Sequence, residues 1–328
     1  SDSTEIFQEG IRIPALKLYE AGVPHETLFK LIEKNVRLPD RVIGDLRAQS
    51  AACRNGAREL GKMFDRYGAK MAQEYFAELL DYAERMTREE IRQWPDGTYR
   101  FTDYIDNDGF TDTPLPIVVA ITVHGDSVSV DYAGSAPQVP AALNSTKSYT
   151  NSCTYLSVRC VLKGDIPNNA GVLRAIEVTA PEASIVNPKL PAACAARALT
   201  GYRMVDAMFG ALAQIVPDRV PAAGEGGNTV VCLGGYRDDG APFIIVDMIC
   251  GAWGGRPDKD GIEAIPTRRK TCPTRRSRRW NPSTRSALRN MRWCPIAAVP
   301  ENGAAGSVSR GHTACWRPKR GSNCVPTE

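Results

Sequence analysis

The chain has 328 residues, of which 43% are hydrophobic and 24% are charged, near the average for folded soluble proteins, which excludes global disorder. No apolar run approaches the roughly 20 residues of a membrane-spanning helix, and residues 1–10 form no signal peptide. Ten cysteines without a CxxC pair predict free thiols in a reducing compartment. We therefore expect a cytoplasmic protein that does not contact a membrane.

The net charge of +4 is divided unevenly along the chain. Residues 266–328 contain 14 of the 41 basic residues but only 2 of the 37 acidic ones, so this tail carries +12 and residues 1–265 carry −8. The tail is also rich in proline and shows neither a helical nor a strand period. The sequence therefore predicts one globular region over 1–265 and a disordered or irregular basic tail over 266–328.

Two long helices are predicted in the first part of the chain, over 41–67 and 69–93. In the second helix, apolar residues recur every three or four positions, the spacing of an amphipathic helix: Met71, Tyr75, Leu79, Tyr82 and Met86. The Trp-Pro-Asp-Gly sequence at 94–97 ends this helix, because proline cannot continue it and glycine favours a turn.

Alternating patterns then predict a strand meander over 99–105, 117–124 and 127–132, with its Val128, Val130 and Tyr132 face buried. The remaining predicted elements are a helix over 148–162, a strand over 175–180, a helix over 201–215 and strands over 229–233 and 243–248. The second of these helices has an apolar stripe of Met204, Met208, Leu212 and Ile215. Early helices followed by mainly antiparallel strands with interspersed helices predict an α+β fold.

Three carboxylates before a glycine could supply oxygen ligands for calcium: Asp103, Asp106 and Asp108 before Gly109. Their spacing does not fit a calcium loop, since the closing glutamate position would fall on Leu115. We therefore predict a solvated hairpin turn here.

Glycine clusters at 224–227 and 251–255 could cradle a phosphate, but neither has the lysine of a P-loop or GxGxxG spacing. Tight turns are the preferred interpretation, and we expect this chain not to bind ATP. His25 and His124 are the only histidines before the tail, and neither stands in a zinc or serine-triad pattern. Surface or helix-capping roles are expected for both.

A polar group near the start of the first long helix leaves two interpretations open. Asp45 and Gln49 lie four residues apart on one helical face, and Arg37 lies just upstream. The group is either a capped helix with a surface ion pair or a polar cluster that faces a ligand or a partner.

Eight sequence strings in fixed order carry a family resemblance. They lie at 5–14, 35–37, 44–49, 131–138, 165–171, 187–188, 203–206 and 256–262, and they include Asp-Tyr-Ala-Gly-Ser-Ala-Pro-Gln and Arg-Met-Val-Asp. Together they resemble the B subunit of the ATP-dependent hydantoinase and 5-oxoprolinase family, which also includes a large subunit of acetone carboxylase. The resemblance covers residues 3–265.

The resemblance implies ATP-dependent opening of a cyclic amide such as 5-oxoproline or a hydantoin, or a related carboxylation. It implies a hetero-oligomer in which an A-type subunit holds ATP, while the divalent metal of the carboxylase branch is held by motifs upstream of residue 1. This chain would itself bind no cofactor. Within the matching strings and the polar group at 37–49, the predicted substrate- or partner-binding residues are Glu9, Arg37, Asp45, Gln49, Asp131, Ser135, Asn169, Arg203, Asp206 and Arg256.

The chain is thus expected to be an interior fragment of a cyclic-amide hydrolase subunit, incomplete for catalysis. The alternatives are a non-catalytic assembly piece that binds an A-type subunit, and a related carboxylase subunit. Either way, catalytic residues are not assigned.

At residue 265 arginine, proline, cysteine and tryptophan replace the family's continuation, as out-of-frame translation of a GC-rich gene would produce. We hypothesise a frameshift near codon 265. The alternative is a basic arm that binds nucleic acid through its Arg/Lys clusters and tryptophans. The abrupt break within a family string favours the frameshift, so nucleic acid is not an expected partner.

Overall fold

The computed structural model describes residues 2–227, 229–249, 254–258, 260–261, 292–295 and 312–315. Its first part is a short ribbon followed by helices: β1 (Tyr19–Glu20), β2 (Val23–Pro24), α1 (Glu26–Asn35), α2 (Pro39–Tyr67) and α3 (Ala69–Ile91). The two long predicted helices are confirmed as α2 and α3. α1 begins directly after His25, for which a surface or helix-capping role was expected; His25 is the N-cap residue, but its side chain makes no capping hydrogen bond.

The two long helices bury little of their surface. α2 has no buried residue. α3 buries five residues, Ala83 and Ile91 among them. The apolar stripe predicted on α3 is not the face that the helix buries. Tyr75 and Leu79 of this stripe are 69% and 48% exposed, and only Met86 packs against the core. The spacing thus predicted the helix but did not identify its buried face.

A four-stranded sheet follows, in the order β3 (Gly97–Ile105), β4 (Leu115–His124), β5 (Ser127–Asp131) and β6 (Ile176–Thr179). The first three strands form the predicted antiparallel meander. β6 lies parallel to β5, with Val128 opposite Ile176, after a crossover through α4 (Lys147–Val161). Parallel neighbours need such a crossover because both strands run the same way. The sequence predicted β6 but not its direction.

One face of this sheet forms the core. β4 alternates buried and half-buried residues, as a strand with one covered face does. The residues predicted to point inward from the third strand of the meander are buried: Val128, Val130 and Tyr132. α5 (Arg197–Leu212) covers β3 and β4 with three residues of the predicted stripe, Met204, Met208 and Leu212; the fourth, Ile215, is buried three residues beyond the end of the helix. Burial of each large apolar side chain contributes about 1.5–3 kcal/mol to stability.

Two further strand pairs complete the described elements. β7 (Thr229–Tyr236) and β8 (Pro242–Ile249) correspond to the strands predicted over 229–233 and 243–248, and the structure pairs them as an antiparallel hairpin. In the tail, β9 (Arg292–Pro295) pairs antiparallel with β10 (His312–Cys315). The sequence predicted a disordered or irregular tail and did not indicate this pair, because segments of four residues are too short to show a period. The other tail residues lie outside the described ones, and no helix in the described ranges is long and apolar enough to cross a bilayer.

Candidate functional site

A cluster of charged side chains lies between α5 and β3. Arg203 of α5 places Nη1 3.1 Å from Oδ2 of Asp103 on β3 and Nη2 3.2 Å from Oδ2 of Asp206. The Nε of Arg203 donates a hydrogen bond of 3.0 Å to the carbonyl oxygen of Gly226. Arg203 and Asp206 are predicted site residues, whereas Asp103 was weighed only as a calcium ligand. We call these four residues the Arg203 cluster.

Local structure explains why the cluster forms. Asp103 is in register with Ile117, so it points to the same side of the sheet as the buried residues of β4. Arg203 and Asp206 are three residues apart and therefore share one side of α5. Gly210 lets α5 approach β3 closely, because a Cβ there would lie 2.5 Å from the ring of Phe101.

Burial sets the electrostatics of the cluster. It raises the pKa of Asp206 to about 6, an effect that Arg203 opposes and Asp103 reinforces. Oδ2 of Asp206 is close to the guanidinium but makes no hydrogen bond of good geometry, so the contact is mainly ionic. A carboxyl group with a pKa near neutrality can hold or release a proton at physiological pH. Such behaviour is a property of functional sites, although structural ion pairs share it.

The raised pKa predicts a pH dependence of stability. Relative to an Asp206→Asn variant, the wild-type free energy of unfolding should fall as pH rises from 3.8, the ordinary value, to about 6. In this window the folded state binds the proton more tightly than the unfolded state, so raising the pH removes stability. Urea unfolding at a series of pH values measures this. A difference between the two proteins that does not change across the window would contradict the prediction.

Gly226 is required for the contact with Arg203. Its φ of +67° is in the left-handed region, and an added Cβ would overlap Nη2 of Arg203. The glycine cluster at 224–227 therefore holds an arginine against its backbone, at a bend of the chain. The tight turn predicted here stays a prediction.

Gly226→Ala should lower the free energy of unfolding by about 1–2 kcal/mol from the left-handed backbone alone, and by more if Arg203 is pushed from its carboxylates. Gly227→Ala is the matched control, since a Cβ there meets nothing within 4 Å and its φ is not left-handed. The midpoint of thermal or urea unfolding reports both changes. Equal effects of the two substitutions would show that the contact between residues 226 and 203 is unimportant.

Glu9 anchors the start of the chain to the residues before α5. Its carboxylate accepts hydrogen bonds from the backbone N–H of Ala195 (2.6 Å) and of Cys194 (2.9 and 3.0 Å), and from Oγ of Ser3 (3.0 Å). Backbone donors converging on a carboxylate are strong charge-assisted partners. The structure gives Glu9 a structural contact, and its predicted ligand-binding role stays a prediction.

Asp131 and Ser135 support the end of the sheet. Oδ1 of Asp131 accepts hydrogen bonds of 3.0 Å from the backbone N–H of Ala133 and from Thr179. Oγ of Ser135 accepts from the N–H of Val118 at 3.0 Å and lies 3.2 Å from its carbonyl, continuing the ladder of β4. Both side chains thus stabilise backbone.

Lys147, which the sequence did not single out, lies near the end of β5. Its Nζ donates to the carbonyl of Val178 at 2.9 Å. Burial lowers the pKa of Lys147, while Asp131 opposes that change. Position 147 at the first turn of a helix gave no sequence signal for this contact.

Asn169 connects α3 to the segment before β6. Its Nδ2 donates to the carbonyl of Leu79 at 3.2 Å, and its Oδ1 accepts from the N–H of Gly171 at 2.8 Å. A Cβ on Gly171 would overlap the carbonyl oxygen of Leu80, so the two segments touch backbone to backbone. Here again a predicted site residue holds this chain together.

The side chains of the polar group near the start of α2 do not form a cluster. Arg37, Asp45 and Gln49 are all exposed, and no hydrogen bond or ion pair joins them within the described ranges. Arg37 instead approaches β7, where a Cβ on Gly234 would lie 2.6 Å from its Nη1. Arg256 donates to the carbonyl of Asp260, at 3.2 and 3.4 Å. The interpretation as a surface ion pair is not supported, and contact with a partner stays a prediction.

The segment with the carboxylates before Gly109 forms a turn, as predicted. Oδ1 of Asp108 accepts from the backbone N–H of Phe110 and Thr111 at 2.9 and 2.7 Å, which lowers the pKa of Asp108. Gly109 has a φ of +86°, the conformation that such a turn requires. In the part of the chain that the structure describes, no three His, Cys, Asp or Glu side chains converge as metal ligands.

Comparison with known proteins identifies the family. Residues 1–273 match the model of the Hydantoinase B/oxoprolinase family, a match that ends beyond residue 265. The B subunit of a putative D-/L-hydantoinase of Pseudomonas sp. (strain NS671) is 35% identical over 277 residues, 81% of this chain and 46% of that protein. The chain thus spans about half the length of this curated relative.

Solved structures share the fold. The ATP-dependent caprolactamase from Pseudomonas jessenii matches with a TM-score of 0.75 and 29% identity, over 81% of this chain and 46% of that one. Nucleotide-free acetone carboxylase matches with a TM-score of 0.73 and 15% identity, over 81% of this chain and 38% of that one, which shows a common fold alone. Since the family match covers residues 1–273 of 328, the chain belongs to the hydantoinase B/oxoprolinase family.

Proposed function

We propose that the chain forms part of the B subunit of an ATP-dependent cyclic-amide hydrolase of the hydantoinase and 5-oxoprolinase type. The observation that carries this proposal is the match in fold and sequence to an ATP-dependent caprolactamase, at 29% identity. In this proposal ATP is held by an A-type subunit, and any divalent metal is held outside the present chain. A cytoplasmic location is supported by free thiols at Cys53, Cys153, Cys194 and Cys232.

Within this function, the Arg203 cluster is the group best placed to act on a ligand or a partner. Arg203 and Asp206 combine a fixed positive charge with a carboxyl group whose pKa lies near neutrality. The guanidinium of Arg203 contacts the carboxylates of Asp206 and Asp103. A ligand that displaced Asp206 would therefore contact this guanidinium. Opening an amide ring places negative charge on its oxygen, which a cation stabilises.

A non-catalytic assembly role is the second candidate. It is favoured by one observation: Glu9, Asp131, Ser135 and Asn169 all hold this chain's own backbone. Side chains used in this way build a scaffold. A related carboxylase subunit is the third candidate and is supported only by the shared fold.

The full chain, alone and with an A-type subunit of the family, is to be tested for ATP hydrolysis coupled to opening of 5-oxoproline, hydantoin or caprolactam. We expect no turnover by the chain alone and ring opening by the pair. Binding without turnover would replace the hydrolase by the assembly role, and ATP-dependent carboxylation of a ketone would replace it by the carboxylase. Failure to bind any A-type subunit would contradict all three.

A further inference from the structure

The hairpin of β7 and β8 lies outside the hydrophobic core. None of its described side chains is buried, and apolar side chains are exposed on both of its faces: Val230, Tyr236 and Val246 on one face and Leu233 on the other. A two-stranded hairpin without a packed face is only marginally stable in water. The position of this hairpin therefore depends on the residues that attach it to the rest of the chain.

The two ends of the hairpin meet in a tight backbone contact, which we call the base. The N–H of Ala222 donates to the carbonyl oxygen of Gly255 at 2.8 Å. A Cβ on Gly254 would overlap the carbonyl oxygens of Ala222 and Ala223, so the two segments touch directly. The stretch 224–227, between the base and β7, contains three glycines, whose backbone rotates with little steric restriction. A fixed base followed by a permissive segment has the form of a hinge.

Two arginines hold the hairpin against the rest of the chain. Nε of Arg203 donates to the carbonyl oxygen of Gly226, which is a buried residue. Arg37, in the linker between α1 and α2, lies against Gly234 in β7, where an added Cβ would be 2.6 Å from its Nη1. At both contacts a glycine brings the backbone within reach of a guanidinium, because no Cβ intervenes. Turning the hairpin about its base therefore requires both contacts to break.

We propose that the hairpin is a hinged cover of the Arg203 cluster, and that in the closed position the carbonyl of Gly226 takes the place of the carbonyl of a cyclic amide. The second part rests on the proposed function. A backbone carbonyl and a ring amide carbonyl are the same kind of acceptor, so either can accept from Nε of Arg203. When the hairpin opens, this donor becomes available beside the carboxyl group of Asp206. The amide oxygen then lies on a cation that stabilises its negative charge during ring opening.

The cover and the ligand compete for one donor, so their equilibria are linked. If only the open form binds the ligand, the apparent Kd equals the intrinsic Kd divided by the open fraction. Hydrogen exchange of the backbone amides of β7 and β8 reports the same opening. A change that favours the open form should therefore speed this exchange and lower the Kd by the same factor.

Arg37→Ala in the full-length chain tests this link, because it removes one contact with the hairpin and leaves the Arg203 cluster intact. Exchange in β7 and β8, measured by mass spectrometry, should become about fivefold faster, as expected when one contact of the strength of a hydrogen bond is lost. The Kd for hydantoin, measured by ligand-detected NMR, should fall by the same factor. A residue that itself bound the ligand would raise the Kd instead.

Arg41→Ala is the matched control, since Arg41 is also exposed and lies in the first turn of α2. Both measurements should stay at the wild-type value in this variant. Exchange in β4 should be unchanged in every variant, which shows that the core remains folded. Arg203→Lys lacks the Nε donor, so adding it to Arg37→Ala should keep the fast exchange of the hairpin and abolish the gain in hydantoin affinity.

Three results would overturn the proposal. They are wild-type protection of β7 and β8 as strong as that of β4, unchanged exchange in Arg37→Ala, and a Kd for hydantoin that does not fall in this variant. Neither measurement needs turnover. Absence of ring opening by the chain with an A-type subunit would therefore overturn the proposed hydrolase role and leave the hinged cover standing.

Discussion

Replacing Arg203 by alanine should lower the free energy of unfolding by about 3–5 kcal/mol. The side chains of Asp103 and Asp206 are only 22% and 9% exposed, so the substitution leaves two carboxylates in a poorly solvated site without their cation. The hydrogen bond to the carbonyl of Gly226 is lost as well. Urea unfolding near neutral pH gives the change directly.

The conservative variant Arg203→Lys is the control for charge. It restores one cation without the fork that reaches both carboxylates, so it should recover part of the loss. In Arg203→Ala the guanidinium that a Cβ at position 226 would overlap is gone. The losses in free energy of unfolding from Arg203→Ala and Gly226→Ala should therefore not be additive. A loss below about 1 kcal/mol for Arg203→Ala would contradict the view that Arg203 compensates two poorly solvated carboxylates.

A loss of similar size is expected for Arg219→Ala. Arg219 forms a short ion pair with Glu90 of α3, and the two side chains are 13% and 11% exposed. It also donates to the carbonyl of Val161 at the end of α4, at 3.1 Å. Removing the arginine strands a buried carboxylate between two helices, which costs about 3–5 kcal/mol.

Asp218→Ala is the matched control for Arg219. Asp218 lies 4.0 Å from Nε of Arg219 but is 67% exposed, so its loss should change stability by less than about 0.5 kcal/mol. The double variant Glu90→Ala with Arg219→Ala should be more stable than Arg219→Ala, because no charge is then stranded. Equal stability of the single and the double variant would refute the ion-pair explanation.

The sequence predicted the elements whose burial follows a local period. The alternation of Val128 and Val130 and the stripe of Met204 and Met208 specify a face without knowledge of the neighbour, and both faces are buried. The stripe on α3 follows the same rule yet is exposed, because a helical period does not specify whether a neighbour covers that face. The direction of β6 was likewise not readable, since a strand pattern is the same in both directions.

The sequence predicted only those residues of the candidate site that lie close together along the chain. Arg203 and Asp206 lie within one turn of α5 and were identified together. Asp103 is 100 residues away, and Glu90 lies 129 residues from Arg219, so no spacing rule connects them. Glu9 was identified through its resemblance to the family, but that resemblance did not distinguish a backbone anchor from a ligand contact.

The anchor of Glu9 constrains the order in which the chain can fold during synthesis. The backbone N–H of Cys194 that donates to Glu9 lies 185 residues downstream, and the N–H of Ile6 also donates to the carbonyl of Pro191. At typical elongation rates of about 5–20 residues per second, the N-terminal segment waits roughly 10–40 s for its binding site to emerge from the ribosome. Helices α1 to α3 are made of local contacts and can form within that interval. Nascent chains arrested before residue 190 should therefore leave residues 2–10 open to proteolysis, and chains released after residue 227 should protect them.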